Sequence, residues 1–183
     1  MRATVNEYIP QFVGTDASVG SSLRRPLIAW CITLTIGLLA VGACVLAPVS
    51  AAHNYPLLSE VIYKGFSRLC HQIPERSFHV DDHPFAVCAR CFGLYAGFAI
   101  GVVLYPLLRS LRKRDTPARV WLILAALPTT VDFALGFSGL WENTHLSRSM
   151  TGALLGAVAA FYVVPGLVDV SQTDWRRYFA KSS

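Results

Sequence analysis

Three of the five cysteines in this chain, Cys70, Cys88 and Cys91, lie between two long apolar stretches. Cys88 and Cys91 bracket Ala89-Arg90, one helical turn apart, so both sulfurs can address one point. Thiolates bind soft and borderline metal ions, and Cys-x-x-Cys is a common half-site for zinc. Cys70 offers a third sulfur. A histidine would complete a Cys3His set, and His71, His79 and His83 share the loop. His71, directly after Cys70, is the candidate fourth ligand. The expectation is therefore a site of Cys70, His71, Cys88 and Cys91 holding zinc or another transition metal. Two other chemistries fit the same cysteines: thiol–disulfide exchange through the Cys-x-x-Cys pair, or a structural disulfide. Three thiols are an odd number, so one disulfide would leave one sulfur free. Phe92, not histidine, directly follows Cys91, which argues against covalent haem. Cys31 and Cys44, inside the first apolar stretch, read as buried, inert packing residues.

A second polar set comprises Asp132, Glu142 and Arg148, the candidates for any catalytic or transport step. Asp132 interrupts an otherwise uncharged stretch about a dozen residues from its start, roughly 20 Å at 1.5 Å per residue. An acid at such depth normally faces the interior of a bundle or a wet cavity. Arg148 is placed to pair with Asp132 or Glu142. Pro128, Thr129 and Thr130 predict an irregular stretch of helix beside the acid. Glu75 and Arg76 are expected to form an ion pair that shapes the loop, and Trp141 to anchor a helix end at the membrane interface. His53 and His145 read as interfacial residues.

The elements that position these groups must cross a membrane. Of the 183 residues, 54% are hydrophobic and only 15% charged, with a mean hydropathy of +0.46. Soluble domains carry about a quarter charged residues. Four apolar spans follow, at about 26–50, 88–108, 119–140 and 148–168, within one all-α domain over 24–170. A long extracytoplasmic loop joins the first two. The first span could be read as a signal peptide with Val49-Ser50-Ala51 at a cleavage site. The 25 residues before it are long for that role, which favours an uncleaved helix.

Lysine and arginine set the orientation. Arg24 and Arg25, then Arg109, Arg112, Lys113, Arg114 and Arg119, then Arg176, Arg177 and Lys181 alternate correctly for one side. The positive-inside rule makes that side the cytoplasm, with both termini there, in a multi-pass protein of the cell (inner) membrane. The net charge of +5 is thus explained without nucleic acid, and the expected partner is the lipid bilayer. Residues 1–23 and 171–183 read as cytoplasmic tails, the first flexible. Gly93, Gly97 and Gly101, and likewise Gly152, Gly156 and Ala160, recur every four residues. Such stripes let helix backbones approach closely, within one chain or across a homodimer.

The joint pattern resembles a known family. Cys70-His71-Gln72-x-Pro74-Glu75-Arg76-Ser77, then Val87-Cys88-Ala89-Arg90-Cys91-x-Gly93-x-Tyr95-x-Gly97, is similar to the signature of a prokaryotic family of predicted integral membrane proteins, domain of unknown function 2085. Asp132, Glu142-Asn143 and Arg148-x-x-Thr151-Gly152 resemble its downstream polar motif. The resemblance covers about Tyr55 to Gly166 and implies a membrane protein whose site is built from these residues. It implies no reaction. The chain departs from the pattern at Phe133, where relatives are expected to carry glycine. The reading is a metal-binding membrane protein with an adjacent polar cavity lined by Asp132, Glu142 and Arg148. Two alternatives are a membrane thiol–disulfide oxidoreductase using the Cys-x-x-Cys pair, and a small transporter or channel using Asp132 and Arg148.

Overall fold

Among the described residues, four helices are long and apolar enough to cross a bilayer: α1 (Arg24–Ala52), α3 (Ala89–Leu108), α4 (Val120–Phe137) and α5 (His145–Gln172). A shorter helix, α2 (Pro56–Phe66), follows α1, and a 3-10 turn over Pro74–Arg76 and a two-stranded hairpin precede α3. The structure, a computed structural model, describes residues 23–172. The expectations for the two tails fall outside the described residues, except that α5 continues to Gln172.

α1 has 29 residues. At 1.5 Å each it is about 43 Å long, well over the ~30 Å of a hydrocarbon core. It turns small residues inward (Ala29, Thr33, Gly37, Cys44, Ala47) and larger ones outward (Ile28, Ile32, Ile36, Leu39). That is the arrangement lipid selects, because apolar bulk costs nothing outside while small residues let helices approach. Thr33 returns its hydroxyl to Ala29 O at 2.8 Å, and Trp30 Nε1 donates to Val102 O of α3 at 2.8 Å. Cys31 is exposed on the outward face, not buried as expected. The sequence could not show which face of so uniformly apolar a helix points inward.

α3 and α5 form the closest helix pair. A Cβ added at Gly93 would lie 2.0 Å from Ser149 O, at Gly97 2.0 Å from Ala153 O, and at Gly156 2.1 Å from Leu94 O. The two glycine stripes therefore meet each other, backbone against backbone, within one chain. Both are buried, so a homodimer through either would have to take this seam apart. The seam continues into a core of Val102, Tyr105, Ala160, Val164 and Val168. Pro106, Pro128 and Pro165 lie inside α3, α4 and α5.

α4 packs mainly on α5 and leaves Trp121, Ile123, Leu127, Val131 and Phe137 exposed. Its polar residues hold it. Thr129 Oγ1 donates to Thr151 O of α5 at 2.9 Å, and Thr130 Oγ1 to Ala126 O at 2.9 Å. The irregular stretch expected at Pro128-Thr129-Thr130 is instead continuous helix. Both hydroxyls find carbonyl acceptors, one across to α5 and one within α4.

The segment read as a loop is largely ordered structure. Pro56 opens α2 at the first helical position, where its missing N–H costs nothing. Ser59 Oγ ties α2 to Ala47 O of α1 at 3.0 Å. Strands β1 (His79–Val80) and β2 (His83–Pro84) pair antiparallel. Asp81 and Asp82 between them have φ of 47° and 62°. Two positive values are what a two-residue type I′ turn requires, and aspartate tolerates them better than most residues.

Candidate functional site

The Cys70–Ser77 segment is held on three sides. Gln72, itself at φ 50°, donates its amide to Tyr63 O at 2.8 Å and to Ala86 O at 2.7 Å. One side chain thus clamps α2 to the segment between β2 and Cys88. Tyr63 completes the clamp by donating its hydroxyl to Pro84 O, and burial pushes that phenol up. Ser77, fully buried, closes the 3-10 turn by donating to Ile73 O at 2.9 Å. Phe78, Phe85 and Phe92 pack with ring centroids 5.1 to 5.8 Å apart and seat the hairpin on α3. No Glu75–Arg76 ion pair forms among the described residues. Glu75 is used through its backbone carbonyl, 3.1 Å from His145 Nε2, so the turn is shaped by main-chain bonds.

These restraints deliver Cys70 to the start of α3. The sulfurs of Cys70, Cys88 and Cys91 all lie within 4.8 Å of one another. A tetrahedral zinc with bonds of ~2.3 Å would hold its sulfurs about 3.8 Å apart, within that limit, so the triangle could hold a metal ion. Cys88 caps α3 without a side-chain cap bond, and its N–H donates to Cys70 Sγ at 3.3 Å. The Cys91 thiol beside it favours the Cys88 thiolate, as does the positive end of the helix. No two sulfurs are bonded to each other among the described residues. Cys44 of α1 is fully buried and packs against Cys70 and Val87 just beneath the cluster. His71 stands beside the three sulfurs and lines the adjoining cavity, but its ring is outside the cluster.

That cavity, about 220 Å³, is walled by Cys70, Cys88 and Cys91 together with Arg76, Arg90, Arg148 and Asn143. Leu69, Phe133 and Phe137 complete it with apolar surface. Asp132 lies behind this wall. Its carboxylate accepts from Arg90 Nη2 and, at 3.0 Å, from Ser147 Oγ, while Asn143 Nδ2 donates to its backbone carbonyl. The partner of the intramembrane acid is thus Arg90, where the sequence suggested Arg148. Arg90 was legible only as one more loop charge. Its position between the two cysteines could have flagged it, because it rides on the helix end that carries the sulfurs. Phe133, the departure from the family pattern, places its ring 5.6 Å from the Arg90 guanidinium and stacks on Phe137. A cation over an aromatic face gains about 0.5–2 kcal/mol. Glu142 is exposed and outside the cavity wall; its neighbour Asn143 reaches in instead. Arg90 Nε and Asn143 Oδ1 are buried without a partner among the described residues. Each such group costs on the order of 1–3 kcal/mol when nothing satisfies it.

Fold and site together define a multi-pass membrane protein with a three-cysteine cluster at one end of its bundle. Residues 70–162 match the family described as predicted membrane protein, DUF2085, and the chain belongs to that family. An uncharacterized protein of Methanocaldococcus jannaschii is 38% identical over 111 residues, 61% of this chain and 71% of that protein. An uncharacterized protein of Methanothermobacter thermautotrophicus is 37% identical over 92 residues, 50% of this chain and 80% of that one. No solved structure matches.

Proposed function

We propose that this protein is a transition-metal-binding membrane protein whose ion, zinc by default, is held by Cys70, Cys88 and Cys91. The carrying observation is convergence: a sulfur from the far side of the hairpin meets the Cys-x-x-Cys pair within 4.8 Å and accepts the Cys88 N–H. Placement of Cys88 before α3 and Cys91 one turn into it fixes two ligands on a rigid element. His71 is the candidate to close the site as Cys3His by turning its ring inward. If it does not, the fourth position opens on the arginine-lined cavity. In this reading the cysteine end of the bundle lies on the extracytoplasmic side of the cell membrane, since the basic link between α3 and α4 lies at the other end.

Elemental analysis of the detergent-purified chain tests this, with one equivalent of metal expected. Cys88→Ser should lose it, and His71→Ala should weaken it at least tenfold only if the ring ligates. A metal-free protein whose stability is unchanged by Cys88→Ser would end the proposal. The helix-end placement of Cys88, which favours a thiolate, also supports a second reading, thiol–disulfide exchange. Alkylation in intact membranes followed by mass spectrometry separates the two: a Cys88–Cys91 disulfide in part of the population supports exchange, and wholly reduced cysteines exclude it.

A further inference from the structure

The cavity beside the sulfurs carries more positive charge than its surroundings answer. Arg76 from the 3-10 turn, Arg90 from α3 and Arg148 from α5 line one space of about 220 Å³. Only Arg90 has a carboxylate partner among the described residues, Asp132. Even Arg90 keeps one buried donor, Nε, without an acceptor. Three thiolates holding a divalent ion would add one negative charge and leave the cavity positive. The positive-inside rule does not account for arginines at this end, because the basic link between α3 and α4 lies at the opposite end of the bundle. α5 begins only three residues before Arg148, so its positive terminus adds to the same field.

We infer that this cavity binds a small oxyanion of the phosphate class, gripped by Arg76, Arg90 and Arg148. Guanidinium groups present paired donors that match oxyanion edges, and three of them from separate elements suit a tetrahedral group better than a flat one. The volume is below the ~300 Å³ at which drug-sized pockets begin, which restricts the occupant to a small ion or a headgroup. Phe133, Phe137 and Leu69 put apolar surface beside the charges, so the phosphate of an anionic lipid and free phosphate share the required chemistry. The inference goes beyond the metal reading and does not depend on it, because the arginines and the unmet donor are present whatever the sulfurs hold.

The test uses the full chain in nanodiscs of phosphatidylcholine, titrated with inorganic phosphate by calorimetry. A second arm measures retention of phosphatidylglycerol by native mass spectrometry from mixed nanodiscs. Metal content is measured on every sample. Arg148→Gln should weaken whichever probe binds by roughly tenfold to a hundredfold, the loss of one charged hydrogen-bonding group. Arg148→Lys, which keeps the charge and loses the fork, should fall between. Phosphate binding in the first arm assigns a soluble ion, and selective retention in the second assigns a lipid. Wild-type chain stripped of metal with a chelator should still bind the anion, which separates failure of one proposal from failure of the other. Binding of neither probe by a folded wild-type chain, or binding unchanged in the Arg76→Gln/Arg148→Gln double variant, would overturn the inference.

Discussion

Two of the helices that contact α5, α3 and α4, are joined to it by opposite means. α3 meets α5 through glycines so close that an added Cβ would sit 2.0 Å from a carbonyl oxygen. α4 meets it through a few polar side chains and leaves most of its apolar surface exposed. In lipid, apolar side chains gain nothing by leaving their surroundings. Two solutions remain, close backbone packing or hydrogen bonds between polar groups that hydrocarbon cannot satisfy. This molecule uses the first for the pair that carries the cysteine end and the second for the helix that closes the cavity. The seam is a steric fit that tolerates almost no change. The α4 attachment is a set of bonds that can be removed one at a time.

The largest effect should come from breaking the seam. Gly97→Leu must push α3 from α5 and should destabilise by on the order of 3 kcal/mol or prevent folding, measured by unfolding in mixed micelles. Gly42→Ala on α1, with nothing within 4 Å of its Cβ, should be neutral or stabilising by up to ~1 kcal/mol. A gain in both would mean that helix propensity, not close approach, governs.

Asp132→Ala should cost about 2 kcal/mol, less than a fully buried pair, because the Arg90 side chain stays 23% accessible. The cost arises from leaving Arg90 unanswered. Arg90→Met combined with Asp132→Leu should therefore be milder than the sum of the singles, by 1 kcal/mol or more in a double-mutant cycle. Additive losses would show that the two side chains act separately. The smallest effect is expected at Thr129→Val, about 0.6 kcal/mol, the average for such bonds in membrane helices. A loss as large as that of Asp132→Ala would mean that the hydroxyl, not the ion pair, attaches α4.

Sequence made the four apolar helices legible because a bilayer leaves little choice: an uncharged run of such length has one stable form. The three cysteines of the cluster were legible as a group from ligand type and the one-turn spacing. The segment between α1 and α3 was not. Its order comes from Gln72 reaching two carbonyls far apart in sequence and from two aspartates at positive φ. Neither leaves a periodic trace. The Asp132 partner was hidden for a related reason. Arg148 is nearer in the chain, but Ser147 and Asn143 hold that acid while Arg90 arrives from α3. Which cation answers it depends on how α3 and α4 lie across α5, a matter of helix azimuth that hydropathy does not encode.

The sulfur cluster also has a place in time. Cys70, Cys88 and Cys91 all precede the middle of α3, whereas Arg148 belongs to the last helix. Translation needs several dozen further residues to reach it, roughly 3–10 s at common ribosomal rates. The bonds that clamp the Cys70 segment to Tyr63, Ala86 and Cys88 come from α2, the hairpin segment and the start of α3, and α5 adds only the His145 contact to the Glu75 carbonyl. The nascent chain can therefore finish its sulfur triangle first, and the rest of the bundle is then laid against an end already set.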